Sequence, residues 1–389
     1  MASSATLTPD SPDELIDAIA TAARAGTKIA LRGGGSKDGL GASTSDAQII
    51  DMRGFAGVVD YDPPELVLTV GAGTPLSMVR DLVAQQGQML AFDPFDHGPL
   101  LGRPAGRATI GGIVAAGVSG SLRLTQGAAR DHLLGLEAVS GRGERFVAGA
   151  KVVKNVTGYD VPKLMAGSWG RLAAITQVTL KVLPLPRTRA TKLIVGLDCA
   201  TAVRAMSKAL ASQAEVSAAA YLPRSQHAGG ASLTALRVQG FAASVKARCV
   251  MLNRLLADHG PLEHLDDGNC TNFWNEMATL SSLDAGRTLW RVHVPPSRAA
   301  DLIAGFQPAR ADWLLDWAGG LIWMLFDGPP DRLRGAVASM GGHATLVRAP
   351  EARRQAVPAF HPPAPGVAAL EARVRRAFDP AGVFETGRF

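Results

Sequence analysis

The sequence predicts an α+β fold with two domains. Three observations predict it. Helix-to-strand units recur near the start of the chain, an alternating strand over 172–183 is broken by prolines, and helical and strand patterns then interleave up to about residue 340. A chain of 389 residues, 47% of them apolar and 19% charged, is long enough for two packed cores.

The first helix is predicted over 12–25. Ser11-Pro12-Asp13-Glu14 has the pattern of a capping box with proline at the first helical position, and Gly26 stops the helix. A strand over 27–31 follows and leads into the loop 32–37, which carries three consecutive glycines. This loop exposes bare backbone where side chains cannot pack.

The helix-to-strand arrangement then recurs. Strands are predicted over 58–61 and 66–70, a helix opens at Thr74-Pro75 and ends before Gly87, and a further strand is expected over 88–92. Two such units in succession favour a nucleotide-binding domain over a helical bundle or an all-β barrel.

The best domain boundary follows the strand at 172–183, where Pro184 and Pro186 interrupt the alternation. Beyond it, strands are expected near 192–197, 232–239, 288–294 and 313–326, and helices near 200–212, 243–258, 297–306 and 330–340. Gly319-Gly320 could form a hairpin inside the last strand region. A proline-rich stretch precedes a final helix over 367–378. The two domains are therefore expected to be 1–187 and 188–357, followed by a C-terminal segment over 358–389.

Composition disfavours several classes of function. The 40 Lys+Arg and 34 Asp+Glu give a net charge of +6, but the basic residues form no block, so nucleic-acid binding is not expected. Cys199, Cys249 and Cys270 lie far apart, which predicts neither a metal site nor an iron–sulfur cluster. The chain start lacks a signal-peptide pattern, and the apolar run 313–326 is too short to span a membrane, so a cytoplasmic protein is expected.

Two glycine-rich segments are candidates for binding an anion. The loop 32–37 could converge its N–H groups on an anionic oxygen, although a flexible turn is an equally good interpretation. The segment 109–117 could begin a helix whose free N–H donors meet a pyrophosphate, with a tightly packed buried helix as the alternative. The spacing is not G-x-G-x-x-G, which disfavours NAD.

A series of motifs resembles the FAD-linked oxidases of the vanillyl-alcohol-oxidase type, which have a PCMH-type flavin domain. The match covers about residues 10 to 187, and its motifs, in the family's order, are Pro104-Ala105-Gly106, Thr109-Ile110-Gly111-Gly112, Arg130-Asp131-His132-Leu133-Leu134-Gly135-Leu136-Glu137, Lys154-Asn155-Val156-Thr157-Gly158-Tyr159-Asp160, Leu164-Met165-Ala166-Gly167-Ser168-Trp169-Gly170 and Leu180-Lys181-Val182-Leu183-Pro184. Near the end, 378–384 resembles the family's closing motif.

The resemblance implies a two-part FAD-binding domain, a smaller cap domain with an antiparallel sheet and helices, and a tail that returns to the FAD domain. It also implies FAD bound non-covalently, because the first glycine loop lacks the histidine that some relatives link to flavin. The expected FAD-binding residues are Arg32, Gly33, Gly34, Gly35, Ser36, Lys37, Pro94, Thr109, Ile110, Gly111, Gly112, Ala115, Gly117, Gly167, Gly170, Leu172 and Ile175.

Within the family, the sequence of segment 151–168 and the short length of the chain are most similar to those of the FAD-binding E subunits of bacterial glycolate oxidase. This similarity implies oxidation of glycolate, a small 2-hydroxy acid, to glyoxylate. It also implies two partners, a larger FAD-linked glycolate oxidase subunit and an iron–sulfur subunit, and leaves open a peripheral association of the complex with the inner membrane.

Catalysis is not assigned to any residue. The family's large 2-hydroxy-acid dehydrogenases carry a His-x-x-Gly-x-Gly-x-x-His cluster that binds metal. In the family, that cluster lies in the cap domain. The histidines of the predicted cap region and the segment after it are His227, His259, His264, His293, His343 and His361, and their spacing does not form the cluster. Two alternatives therefore stay open: a flavin-fold scaffold subunit, and a nicotinamide-dependent reductase.

Two further residues have a plain structural interpretation. Asp160 is expected to cap the helix that carries Leu164 and Met165. Arg388 is expected to be a solvated arginine rather than a ligand of a carboxylate or phosphate.

Overall fold

The computed structural model describes residues 6–44, 46–150, 159–265, 267–307, 309 and 312–389. The motif residues of 151–158 lie outside the described residues. Internal contacts divide the chain into two units. The first unit contains the described residues up to Ser119, Gly127–Leu185 and Pro362–Phe389, and the second contains Gly120–Gln126 and Pro186–His361. The expected domain boundaries after residues 187 and 357 remain predictions. The assignment of the short segment 120–126 to the second unit was not predicted.

Helices and strands are interspersed along the described part of the chain. The helices are α1 (Pro12–Ala25), α2 (Leu76–Gln85), α3 (Ile110–Ala115), α4 (Arg123–Gln126), α5 (Ala129–His132), α6 (Val161–Met165), α7 (Cys199–Leu210), α8 (Ala242–Leu255), α9 (Asp267–Thr279), α10 (Ala299–Phe306), α11 (Pro330–Ser339), α12 (Glu351–Ala356) and α13 (Pro365–Phe378). The strands are β1 (Ile29–Arg32), β2 (Gln48–Asp51), β3 (Val58–Asp62), β4 (Val67–Gly71), β5 (Gln88–Met89), β6 (Leu133–Ser140), β7 (Arg145–Gly149), β8 (Ala173–Lys181), β9 (Leu183–Pro184), β10 (Thr188–Val195), β11 (Ala218–Leu222), β12 (Leu233–Gly240), β13 (Glu263–Leu265), β14 (Leu289–His293), β15 (Trp313–Asp316), β16 (Leu321–Leu325) and β17 (His343–Arg348).

The first unit is built on a five-stranded antiparallel sheet in the order β3-β4-β8-β6-β7. Central strand β8 pairs with β4 so that Val178 lies opposite Val70. Both side chains are fully buried, in one cluster with Val79 of α2 and Ile113 of α3. Burial of these apolar side chains holds the two helices against the sheet.

A second layer of the first unit combines α1 with the parallel pair β1–β2. Helix α1 begins and ends as predicted, because the Ser11 side chain accepts a hydrogen bond from the Glu14 N–H and Gly26 adopts a left-handed conformation. The tail belongs to this layer: Ile29 N–H donates to the Val383 carbonyl over 2.7 Å, and Lys28 Nζ donates to that of Gly382 over 2.7 Å.

The second unit contains an eight-stranded antiparallel sheet in the order β13-β10-β12-β11-β15-β16-β14-β17. Strands β15 and β16 form a hairpin through the turn Trp317–Gly319, close to the predicted Gly319-Gly320. Residues 120–126 join this unit at that turn. Ser121 Oγ donates to Asp316 Oδ2 over 2.7 Å, and Trp317 Nε1 donates to the Gly120 carbonyl over 3.1 Å.

The main departures from the predicted elements have simple causes. The strand expected over 88–92 is limited to Gln88–Met89, because the chain then turns at Asp93, which has a φ of 54°. Strand β11 was missed because all five of its residues are buried, so it shows no alternation. None of the described helices combines the length and hydropathy needed to cross a bilayer.

Candidate functional site

The first unit contains a cleft at which both glycine-rich segments meet. It encloses about 790 Å³ of space, part of it open to solvent. Its lining residues are Leu31, Arg32, Gly33, Gly34, Gly35, Ser36, Lys37, Asp38, Met52, Ala72, Thr109, Gly111, Gly112, Ala115, Ala116, Trp169, Gly170, Ala173, Ile175, Arg388 and Phe389. One part is therefore polar and cationic and another is apolar, which suits a ligand with an anionic group and a flat apolar ring.

The glycines of the first loop allow a close approach to the second segment. A Cβ at Gly34 would lie 1.6 Å from the Arg107 carbonyl oxygen, and one at Gly33 would lie 2.3 Å from Thr109 Oγ1. Arg107 Nε also donates to the Gly34 carbonyl over 2.8 Å. These glycines bring the two segments into direct contact, which no larger residue permits.

The first loop offers backbone donors to the cleft. On the described residues, no acceptor takes a hydrogen bond from the N–H groups of residues 33–37. Gly35 has a φ of 75°, and the ion pair between Arg32 and Asp38 lies next to it. Successive N–H groups around such a left-handed residue form a concave site for an anion.

The second segment differs from its prediction, because the N–H groups that begin α3 already have protein acceptors. Ile110 N–H donates to the Thr74 carbonyl, Gly111 N–H to that of Ala72, and Gly112 N–H to Thr109 Oγ1. The expectation of free donors at this helix start was therefore wrong. Helix α3 contributes surface and small side chains to the cleft, and the donors belong to the first loop.

Lys37 gives the cleft a half-buried cation. Burial lowers the pKa of Lys37 to about 8, while the charge of Asp96 raises it and that of Arg388 lowers it. The ammonium lies near α3, since a Cβ at Gly112 would be 3.9 Å from Lys37 Nζ. An anionic ligand here would repay the cost of desolvating this charge.

Arg388 and Phe389 also line the cleft, which the sequence reasoning missed. Arg388 donates to the Leu40 carbonyl over 2.9 Å and to that of Lys37, so the expectation of a solvated arginine was wrong. The Phe389 ring lies 5.1 Å from that of Trp169. The family resemblance predicted that the tail returns to the FAD domain, but no local signal in the sequence indicated that Arg388 and Phe389 line the cleft.

Most of the expected FAD-binding residues meet in this cleft, but five do not line it: Pro94, Ile110, Gly117, Gly167 and Leu172. Pro94 is buried, and its carbonyl accepts a hydrogen bond from Arg80. Gly167 instead fixes the neighbouring backbone, since its N–H donates to the Val114 carbonyl over 3.1 Å. As predicted, Asp160 caps a helix, accepting from the Lys163 N–H.

Comparison with known proteins relates this cleft to a cofactor. Residues 3–149 match a family model described as an FAD binding domain. The glycolate oxidase subunit GlcE of Escherichia coli strain K12 is 29% identical over 381 residues, which cover 97% of both chains. This is a GlcE-like protein with a PCMH-type FAD-binding domain. It is a homologue, among the FAD-linked oxidoreductases, of a glycolate oxidase subunit.

A second curated relative matches the GlcE-like chain in part, whereas two solved structures match it over nearly its whole length. A D-lactate dehydrogenase of Archaeoglobus fulgidus is 30% identical over 46% of this chain and 38% of its own length. Among solved structures, p-cresol methylhydroxylase with substrate bound has a TM-score of 0.74 at 13% identity and covers 98% of this chain and 88% of its own. Alkyldihydroxyacetonephosphate synthase has a TM-score of 0.68 at 15% identity, with 97% and 75% covered. These structures show the α+β fold with a cap domain built on a large antiparallel sheet, and the family match shows its FAD-binding domain.

The structure of the GlcE-like chain groups histidines that are far apart in sequence. His293 and His343 are cross-strand partners on β14 and β17, with ring centroids 4.5 Å apart. His361 accepts a hydrogen bond from the Ala344 N–H next to them, whereas His227 pairs with Glu276 elsewhere. No group of three or more His, Cys, Asp or Glu side chains in the described ranges could hold a metal ion.

Proposed function

We propose that this chain is the FAD-binding subunit of a glycolate oxidase or dehydrogenase complex. In this proposal it helps to oxidise glycolate, or a similar small 2-hydroxy acid, to the 2-oxo acid and passes the electrons to partner subunits. The observation that supports it best is the end-to-end similarity to GlcE, which covers 97% of both chains.

The cleft of the first unit suits FAD. The N–H groups of 33–37 and Lys37 would hold the pyrophosphate, and the apolar surface at Ala115, Ala173 and Ile175 would receive a flat ring. When bound, the flavin supplies the hydride and electron transfer that protein side chains cannot perform. The chain itself contributes binding, orientation and charge.

Non-covalent attachment is part of this proposal. The residues that line the cleft, within the described part of the chain, include no histidine, cysteine or tyrosine to bond to the flavin. Acid precipitation of the FAD-loaded protein should leave all of the flavin in the supernatant. Flavin that stays with the pellet would contradict non-covalent binding.

The decisive experiment is anaerobic reduction of the isolated, FAD-loaded chain by glycolate. Bleaching of the flavin absorbance supports an oxidising subunit. A chain that takes up no FAD would overturn the proposal, and one that holds FAD but is not reduced by glycolate would instead be a scaffold. Bleaching by NADPH alone would indicate a nicotinamide-dependent reductase.

The partners belong to the same proposal: a larger FAD-linked subunit and an iron–sulfur subunit, with a cytoplasmic location and peripheral contact with the inner membrane through the complex. Pull-down of the tagged chain from native extract should recover both partners in constant ratio. Recovery of the chain alone at low and high salt would contradict an assembled complex.

A further inference from the structure

The second unit contains a group of charged and aromatic side chains that the flavin cleft does not use. Arg123 and Arg291 both stack on the ring of Trp317, with their guanidinium carbons 4.4 Å and 5.2 Å from its centroid. Arg291 also lies 5.8 Å from the centroid of Trp323. Both indoles are buried, so they form an apolar floor under two cations.

The fold builds this arrangement from distant segments. Arg291 lies opposite Trp323 in the register of β14 and β16, and His293, two residues further, lies opposite His343 of β17. Side chains two apart on a strand share one face of the sheet. Arg123 is brought there because residues 120–126 are hydrogen-bonded to the turn that follows β15.

The charges in this group favour a further anion. Asp316 is buried, and its carboxylate accepts hydrogen bonds from Ser121 Oγ and the Trp317 N–H, each over 2.7 Å. After burial, the charges of Arg291 and Arg123 contribute to the lowered pKa values of His293 and His343, so this face of the sheet is positive. No described residue accepts a hydrogen bond from the Arg291 side chain, whose nitrogens nevertheless reach solvent. A guanidinium in this state offers a paired set of donors to a planar anion.

The histidines beside the arginines remain neutral at ordinary pH. Burial, together with the charge of Arg291 and the proximity of His343, lowers the pKa of His293 to about 2. Partial burial, the charge of Arg291, the proximity of His361 and the charge of Arg123 also lower the pKa of His343, whose side chain still reaches solvent. A neutral imidazole can accept a hydrogen bond from a hydroxyl group.

We propose that Arg123 and Arg291, on the floor formed by Trp317 and Trp323, bind the carboxylate of a small organic acid, and that His343 accepts a hydrogen bond from its hydroxyl group. The planar carboxylate fits the guanidinium fork. The carboxylate site stands on the geometry of the second unit alone. Its occupation by a 2-hydroxy acid rests on the proposed function.

The test is calorimetric binding of glycolate, acetate and inorganic phosphate to the full chain. Glycolate should bind more tightly than acetate, and phosphate should bind weakly. R291Q should weaken glycolate and acetate equally, by about tenfold or more, while H343L, which removes the acceptor, should weaken glycolate and leave acetate unchanged. R298Q is the control, since Arg298 is a solvent-facing arginine paired with Asp301.

R123Q provides a variant that does not disturb the core, because Arg123 is exposed. It should weaken both carboxylates while the far-ultraviolet spectrum and the unfolding midpoint stay those of the parent. Unchanged affinity in both R123Q and R291Q would overturn the site, and so would tighter binding of phosphate than of acetate.

Failure of this carboxylate site and failure of the proposed glycolate oxidation give different experimental results. Carboxylate binding without reduction of the flavin would keep this site and remove the proposed oxidation. Reduction by glycolate with an unchanged KM in R123Q and R291Q would keep the oxidation and remove this site. A raised KM with a similar kcat is the result expected if both hold.

Discussion

At the scale of single residues, Lys37 and His293 are the clearest cases of a side chain whose charge is set by burial. Lys37 stays largely protonated at neutral pH, although burial lowers its pKa to about 8. His293 is held neutral because its pKa falls to about 2. One is a desolvated cation beside backbone donors, and the other is an imidazole that the neighbouring arginines prevent from charging.

For Lys37 we expect FAD affinity to fall as the pH rises above about 8. The ligand-free pKa of Lys37 is about 8, and a bound phosphate would raise it, so below pH 8 the side chain should be charged in both states and the affinity constant. Above it, binding requires proton uptake. Flavin-fluorescence titrations at pH 7 and pH 9 should show this loss in the parent protein.

K37R is the matched control, because a guanidinium does not titrate in this range. It should remove the pH dependence, while K37M should lower affinity at pH 7 by about tenfold, or ~1.4 kcal/mol. Equal slopes in the parent and in K37R would exclude Lys37 as the titrating group.

For His293 we expect the second unit to lose stability as the pH falls below 6.5. The imidazole of the unfolded chain takes up a proton near the ordinary histidine pKa of 6.5, and that of the folded chain does not until about 2. The unfolded state therefore gains at most about 1.4 kcal/mol for each pH unit below 6.5 from this residue. His343 and His361, whose pKa values are also lowered, act in the same direction.

Urea unfolding at pH 7.5 and pH 5 measures this effect. H293N should show a smaller difference between the two pH values than the parent, whereas H264N, at an exposed position on β13, should not. An undiminished pH difference in H293N would assign the effect to other groups.

At the scale of elements, the two adjacent glycines of α3, Gly111 and Gly112, have different neighbours. A Cβ at Gly111 would lie 2.6 Å from the Ala72 Cβ, inside the packed contact with the sheet. One at Gly112 would meet only Thr109 Oγ1 at 3.2 Å and Lys37 Nζ at 3.9 Å, on the side of the cleft.

We therefore expect G111A and G112A to separate folding from cofactor binding. G111A should lower the free energy of unfolding by about 1–3 kcal/mol through overpacking. G112A should change it by less than about 1 kcal/mol and yet weaken FAD binding, because the methyl group enters the cleft. Denaturant titration and flavin titration of both variants are the measurements. Loss of stability alone in G112A would contradict this division.

Some of the elements could be predicted from the sequence, and others could not. Helix α1, the loop 32–37 and the prolines at 184 and 186 carry local signals, so these features were predicted from capping, glycine content and ring geometry. The group around Arg291 was not, because Arg123, His293 and His343 meet only through the register of β14 with its neighbours and the 120–126 excursion. Register depends on which strands pair, and no single segment contains that information.

At the scale of the whole molecule, the two units have separate cores, so a ligand of the first unit should protect that unit first. With FAD at 100 times its Kd, the first unit should gain about 2.7 kcal/mol. Hydrogen exchange should slow in β4, β6 and β8 and stay unchanged in β10, β12 and β14. Equal slowing in both sets would mean that the units unfold as one.

The chain changes unit after Ser119, Gln126, Leu185 and His361. A recombinant piece starting at residue 186 and ending at 361 would thus lack the heptapeptide 120–126 and leave Asp316 without its Ser121 partner. Chimeras that exchange this unit between relatives should fold and bind carboxylates only when the heptapeptide is transplanted with it.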